Sequence, residues 1–190
     1  MFYWLTILSD GGDFFNLFRY ITFRAGGAFI TSLIFGFVFG KPLINLLRRK
    51  QGRGQPIRTD GPESHFSKAG TPTMGGAMIL GALLVSTVLW ARLDNMFVWV
   101  VLFVTVSFGI IGFADDYAKV SKQNTTGVSS KVRLGLGFII ALIASIAASQ
   151  LHPGGLSLQV AIPIMKDTLI PFGILFFPFA VLVIVGTANA

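Results

Sequence analysis

The sequence predicts an all-α protein, a multi-pass membrane helical bundle with about five transmembrane helices. Three observations carry this. Hydrophobic residues fill 53% of the 190 positions and charged residues only 12%, with a mean hydropathy of +0.74; an ordinary soluble domain carries roughly 25% charged residues. The apolar residues fall into blocks long enough to cross a hydrocarbon core, which takes about 20 residues. The basic residues gather in two of the stretches between those blocks.

Taken in order, Met1 to Leu8 is apolar but lacks a basic leader, and Asp10-Gly11-Gly12-Asp13 interrupts it, so it does not read as a cleavable signal. The first twenty residues are expected to form an amphipathic or loosely ordered segment outside the first span. Spans are predicted at Ile21–Phe39, Met74–Ala91, Met96–Ala114, Leu134–Leu151 and Leu169–Asn189, within one integral membrane domain covering 1–190. The last four contain no charged residue, and Arg24 in the first lies near enough to its end to snorkel to the interface. Gly26-Gly27, Gly75-Gly76, Gly81, Gly109, Gly112, Gly135 and Gly137 suit close helix–helix approach in lipid. Pro171 and Pro178 are expected to kink the fifth span. The polar ending Gly186-Thr187-Ala188-Asn189-Ala190, at a membrane boundary, reads as part of a longer chain.

Composition also excludes. There is no Cys, hence no disulfide framework, zinc site or thiol nucleophile is proposed. The net charge of +7 belongs to loops in an apolar chain, where it sets topology, so nucleic acid is not an expected partner. Eleven of the fifteen Lys and Arg lie in the stretches 41–73 and 115–133; only Arg19, Arg24, Arg92 and Lys166 lie on the opposite side. The positive-inside rule then makes 41–73 and 115–133 cytoplasmic loops and places the N-terminus outside, in the periplasm.

Chemistry concentrates in those loops. Asp115-Asp116-Tyr117-Ala118-Lys119 sits at the inner end of the third span. Two adjacent carboxylates at a helix C-terminus oppose the dipole by a few tenths to ~1 kcal/mol each and repel one another. No helix breaker appears before Asn124-Thr125-Thr126-Gly127, so the helix is expected to run about two turns further. Lys119 then stands i,i+4 from Asp115 and i,i+3 from Asp116. A solvated helix end with an ordinary ion pair would explain this; so would a magnesium or phosphate site, since hard cations take carboxylate oxygens and keep substrate phosphates as ligands.

Asp60 to Gly76 reads as a turn-rich loop in which Thr73 caps the second span. The N–H groups of that helix N-terminus suit an anion, and Lys68 adds a point charge. A linker with a simple cap is the equally weighted alternative. His65 reads as a surface or packing residue. Arg48-Arg49-Lys50 reads as a topology and anionic-lipid anchor. Lys131 and Arg133 are either anchors of that kind or reach toward a phosphate.

Asp-Gly-Pro-Glu-Ser-His at 60–65, Lys-Ala-Gly-Thr-Pro-Thr-Met-Gly-Gly at 68–76, Gly-Phe-Ala-Asp-Asp-Tyr-Ala-Lys at 112–119 and Val-Ile-Val-Gly-Thr-Ala-Asn-Ala at 183–190 resemble the polyprenyl-phosphate N-acetylhexosamine-1-phosphate transferases. The stretch 60–76 points to their phospho-N-acetylmuramoyl-pentapeptide branch. The resemblance implies an enzyme of the bacterial inner membrane in peptidoglycan synthesis. It would be Mg2+-dependent, moving phospho-MurNAc-pentapeptide from its UDP donor to undecaprenyl phosphate to give lipid I and UMP. It implies catalytic roles for Asp115 and Asp116, with Asp115 the favoured base and both candidate metal ligands, the main metal ligand lying past residue 190. It implies substrate contacts from Lys68, Thr73, Lys119, Lys131 and Asn189. The family fold has about ten spans, so this chain would supply half and be inactive alone; a homodimer is compatible with the resemblance. Two alternatives stand beside it: a sister transferase using UDP-N-acetylglucosamine, and a non-enzymatic transporter or scaffold.

Overall fold

A computed structural model describes residues 1–51, 72–123, 127–151, 158–162, 165 and 168–189. Short 3-10 helices at Phe2–Leu8 and Phe14–Arg19 precede α1 (Ile21–Gln51). Then follow α2 (Gly76–Trp90), α3 (Met96–Lys122) and α4 (Ser130–Leu151). Strands β1 (Gln159–Ala161) and β2 (Leu169–Pro171) pair antiparallel with Val160 opposite Ile170. A 3-10 turn, Gly173–Leu175, leads into α5 (Phe176–Asn189). The all-α class holds, with this small hairpin added.

Three helices, α1, α3 and α4, are long and apolar enough to cross a membrane; α2 and the stretch Gly173–Asn189 are shorter apolar helices. The five predicted blocks are therefore all present as apolar helix, but two fall short of their predicted lengths. At 15 residues α2 is about 22 Å long against a hydrocarbon core of about 30 Å. It starts late because Met74 takes a left-handed φ of 72°. The fifth block loses its first seven residues to β2 and a turn: Pro171 ends the strand and Gly173 adopts φ 54°. Pro178 then falls in the first turn of α5, where a missing N–H costs no helical bond. At the other extreme α1 runs to Gln51, so the first part of the predicted 41–73 loop is helical. It carries Pro42, which withholds a hydrogen bond from the Val38 carbonyl. The α3 helix continues past Asp116 to Lys122, as its sequence predicts.

The chain divides into two compact units, one of Met1–Asp94 with Gly109–Val128, the other of Asn95–Phe108 with Ser129–Ala190. In the first, α1 packs along α2 through small residues: Phe35 lies against Gly81 and Met78 Sδ against Gly40. At Gly109 the Leu80 methyl stands 2.6 Å from where a Cβ would be, so any larger residue would require the Leu80 side chain to move. The N-terminal 3-10 helices close one end of this unit. Phe2, Phe18 and Phe23 surround Trp90, whose indole N–H donates to Thr31 Oγ1 at 2.9 Å. Tyr3 is flanked by the guanidinium groups of Arg24 at 5.0 Å and Arg92 at 4.6 Å. The leading segment is thus ordered rather than loose.

In the second unit α4 packs on α5 around Ala141, fully buried, with Val181 and Val185. Gly137 admits the Phe108 ring at 3.3 Å. Only 6% of the apolar window is buried in α1 and in α3, and 22% in α4. Apolar faces left this open need lipid or further protein against them, which identifies a membrane protein.

Candidate active site

Asp115 and Asp116 are neighbours on α3, so their side chains leave the helix about 100° apart. That angle gives them different surroundings. Asp115 is buried, 7% exposed, and is met from two sides. Its Oδ2 lies 2.6 Å from Lys119 Nζ one turn along the helix, and the Val128 N–H donates to Oδ1 at 2.8 Å. The i,i+4 pairing expected from the sequence is realised, and with it a contact not foreseen, the turn at Gly127-Val128 folding back over the carboxylate. Gly127 makes that approach possible. It holds φ 55°, and a Cβ there would collide with Asp115 Oδ1 and lie 2.8 Å from Lys119 Cε.

Asp116 faces the other way, half-buried, toward the start of α2. Its Oδ2 accepts a hydrogen bond from the Thr73 hydroxyl at 3.0 Å, and among the described residues that is its one polar contact. Thr73 therefore does not cap α2. The N-cap position is Gly75, with no side-chain cap bond, and the Thr73 side chain is turned onto α3 instead. The cause is in the backbone. Gln51 donates from Nε2 to the Thr73 carbonyl at 3.1 Å and accepts the Thr73 N–H on Oε1 at 2.9 Å. Met74 follows in its left-handed conformation with its side chain buried, 8% exposed. That conformation costs about 1–2 kcal/mol for a residue with a Cβ, which two hydrogen bonds at about 0.5–1.5 kcal/mol each offset.

A cavity of about 520 Å3 lies between α2 and the second half of α3. It is lined by Met74, Ala77, Leu80, Leu84, Ile110 and Phe113 and by Gly76, Gly81, Gly109 and Gly112, with Asp115 and Asp116 at one end. An apolar slot closed at one end by carboxylates suits an amphiphile whose polar group reacts there.

Of the remaining predicted residues, Lys119 joins the site through Asp115. Lys131 is exposed on the first turn of α4 and belongs to the second unit, as does Asn189, whose amide donates to the Val185 carbonyl at 2.8 Å. Lys68 and His65 lie outside the described residues. Among the described residues no group of three or more carboxylate, histidine or cysteine side chains gathers as a metal set. Asp115 and Asp116 remain the two candidate carboxylate ligands, and a hard cation held by one or two carboxylates would complete its shell with water and phosphate oxygens.

Sequence reasoning missed Gln51 and the role of Gly127. A glutamine after Arg48-Arg49-Lys50 looks like part of a solvated run; its burial, against three exposed basic neighbours, is visible only in three dimensions.

Comparison with known proteins adds a second line of evidence. A family model described as phospho-N-acetylmuramoyl-pentapeptide-transferase signature 1 matches residues 68–80, the stretch that contains Thr73 and opens α2. Over its whole length the chain is 72% identical to the phospho-N-acetylmuramoyl-pentapeptide-transferase of Ruegeria sp. (strain TM1040) and 73% identical to that of Ruegeria pomeroyi. It is 66% identical to that of Dinoroseobacter shibae, and each alignment covers all of this chain and 53% of the relative. The chain thus spans about half the length of the curated relatives it matches, and along all of that span it is homologous to them.

Proposed function

We propose that this chain is the N-terminal half of a phospho-N-acetylmuramoyl-pentapeptide transferase acting in peptidoglycan synthesis at the bacterial inner membrane. The observation that carries the reading is the bond from Thr73, inside the signature stretch, to Asp116 on α3. It joins the segment that marks the family to the carboxylate pair that can do the chemistry.

On this reading the donor is UDP-MurNAc-pentapeptide and the acceptor undecaprenyl phosphate, meeting at the cytoplasmic face with the N-terminus in the periplasm. Asp116, with one oxygen open to the cavity, takes the proton from the lipid phosphate. The freed phosphate oxygen attacks the sugar-bearing phosphorus of the donor. A new P–O bond forms to the lipid, the P–O bond to the uridylyl phosphate breaks, and UMP leaves. The resemblance favours Asp115 as the base, but the contacts of its two oxygens support another role: it stays ionised, balances Lys119 and holds that ammonium where a phosphate can meet it. Mg2+ remains part of the proposal, with Asp115 and Asp116 as candidate ligands and the main ligand past residue 190; when bound it would neutralise phosphate charge. Lys68, Lys131 and Asn189 are proposed substrate contacts on the resemblance alone, and the 1–190 segment alone is expected to be inactive.

The test is the full-length protein assayed with both UDP donors. Lipid I formed from UDP-MurNAc-pentapeptide supports the reading; a requirement for UDP-N-acetylglucosamine would assign the sister activity instead. A transporter would be expected to carry charged groups near the bilayer midplane; spans two to five carry none.

A further inference from the structure

We infer that Gln51 is a positioning residue for the transfer, acting on Asp116 through Thr73. The inference rests on the reading of Asp116 as a reacting group. Gln51 is the last residue of α1 and is 9% exposed, whereas Arg48, Arg49 and Lys50 just before it are exposed. Both ends of its carboxamide are used on a single residue 22 positions away: Oε1 accepts the Thr73 N–H and Nε2 donates to the Thr73 carbonyl. Two parallel bonds fix the backbone of Thr73 against rotation as well as translation, as one bond would not. The Thr73 hydroxyl is then aimed at Asp116 Oδ2 at 3.0 Å. The left-handed Met74 that follows shows that this backbone is held in a conformation it would not choose freely.

The chemistry of the clamp is specific. A long side chain with one donor and one acceptor at its tip is needed, and Gln alone supplies both at this reach without charge. Glu would keep the acceptor but bring a third anion near Asp115 and Asp116. Lys would keep a donor and lose the acceptor. Met has nearly the shape and neither bond.

The experiment uses the full-length enzyme in detergent, comparing Gln51→Met, Thr73→Val, the double variant, Thr73→Ser and Gln51→Glu. Gln51→Met is expected to lower kcat about tenfold with KM for the UDP donor little changed, the pattern of a misplaced reacting group. Thr73→Val should fall similarly, the double variant no further, and Thr73→Ser should recover most of what Thr73→Val loses. Gln51→Glu keeps the acceptor for the Thr73 N–H but sets an anionic oxygen against the Thr73 carbonyl; it is expected to lose at least as much kcat as Gln51→Met, and carries the test if Gln51→Met does not fold. A parent-like kcat in Gln51→Met or Gln51→Glu, losses that multiply in the double variant, or an effect confined to KM would overturn the inference. Asp116→Asn separates the two layers. If it remains active, the reading of the site fails; if it is dead while Gln51→Met is parent-like, only the clamp fails.

Discussion

Lys119 Nζ stands 2.6 Å from Asp115 Oδ2, one turn further along α3, and that contact divides the labour of the carboxylate pair. The first aspartate is enclosed between an ammonium and the Val128 N–H; the second keeps an oxygen for the cavity.

Removing one partner of the enclosed pair leaves the other in a poorly solvated place. Lys119→Met is expected to destabilise the first unit by about 1–3 kcal/mol, because Asp115 loses a charged hydrogen bond. Asp115→Asn should cost a similar amount, and the double variant Asp115→Asn with Lys119→Met less than the sum of the two. Thermal unfolding of the four proteins in one detergent measures the coupling; strict additivity would mean the contact contributes nothing.

Gly127→Ala combines a strained left-handed φ with a collision at Asp115 Oδ1. A loss of about 1–2 kcal/mol in stability is expected, with transfer activity falling as Val128 is pushed off the carboxylate. Gly112→Ala is the stability control: Gly112 lies inside α3 and a Cβ there meets open space, so stability should not fall.

At the far end of the first unit Arg92 holds Asp94 in a 2.7 Å ion pair. The hydrogen bond from that guanidinium keeps the Asp94 carboxyl below its ordinary value. A depressed carboxylate stabilises the fold above the ordinary range near about pH 4 and loses that contribution as pH falls through the lowered value. Both side chains are solvent-exposed, so the effect is local and screened by salt. Arg92→Ala should return the Asp94 titration, followed by NMR of its carboxyl carbon, to the ordinary range while leaving transfer unchanged.

Much of this was legible in the sequence because the membrane imposes simple rules. Blocks of spanning length, an i,i+4 Asp–Lys pair and a helix without a breaker before Asn124 predicted α1, α3 and α4 and the Asp115–Lys119 contact. What was not legible depended on the backbone between elements. Nothing in Thr71-Pro72-Thr73-Met74 says that Met74 will turn left-handed and swing the Thr73 hydroxyl from a cap onto Asp116. Pro171 reads as a kink within a span; that it ends a strand instead depends on β1, where Val160 pairs with Ile170 across a separate stretch. Gln51 carried no local signal, since its partner lies 22 residues on.

The most direct test of the central claim is lipid I synthesis by the full-length protein and its Asp116→Asn variant, with equal amounts of folded enzyme, UDP-MurNAc-pentapeptide and undecaprenyl phosphate. The account predicts lipid I and UMP in equal amounts from the parent. It predicts a fall of about 10²- to 10⁴-fold in the variant, the range for loss of a proton-transferring group. Undiminished turnover by Asp116→Asn would contradict it.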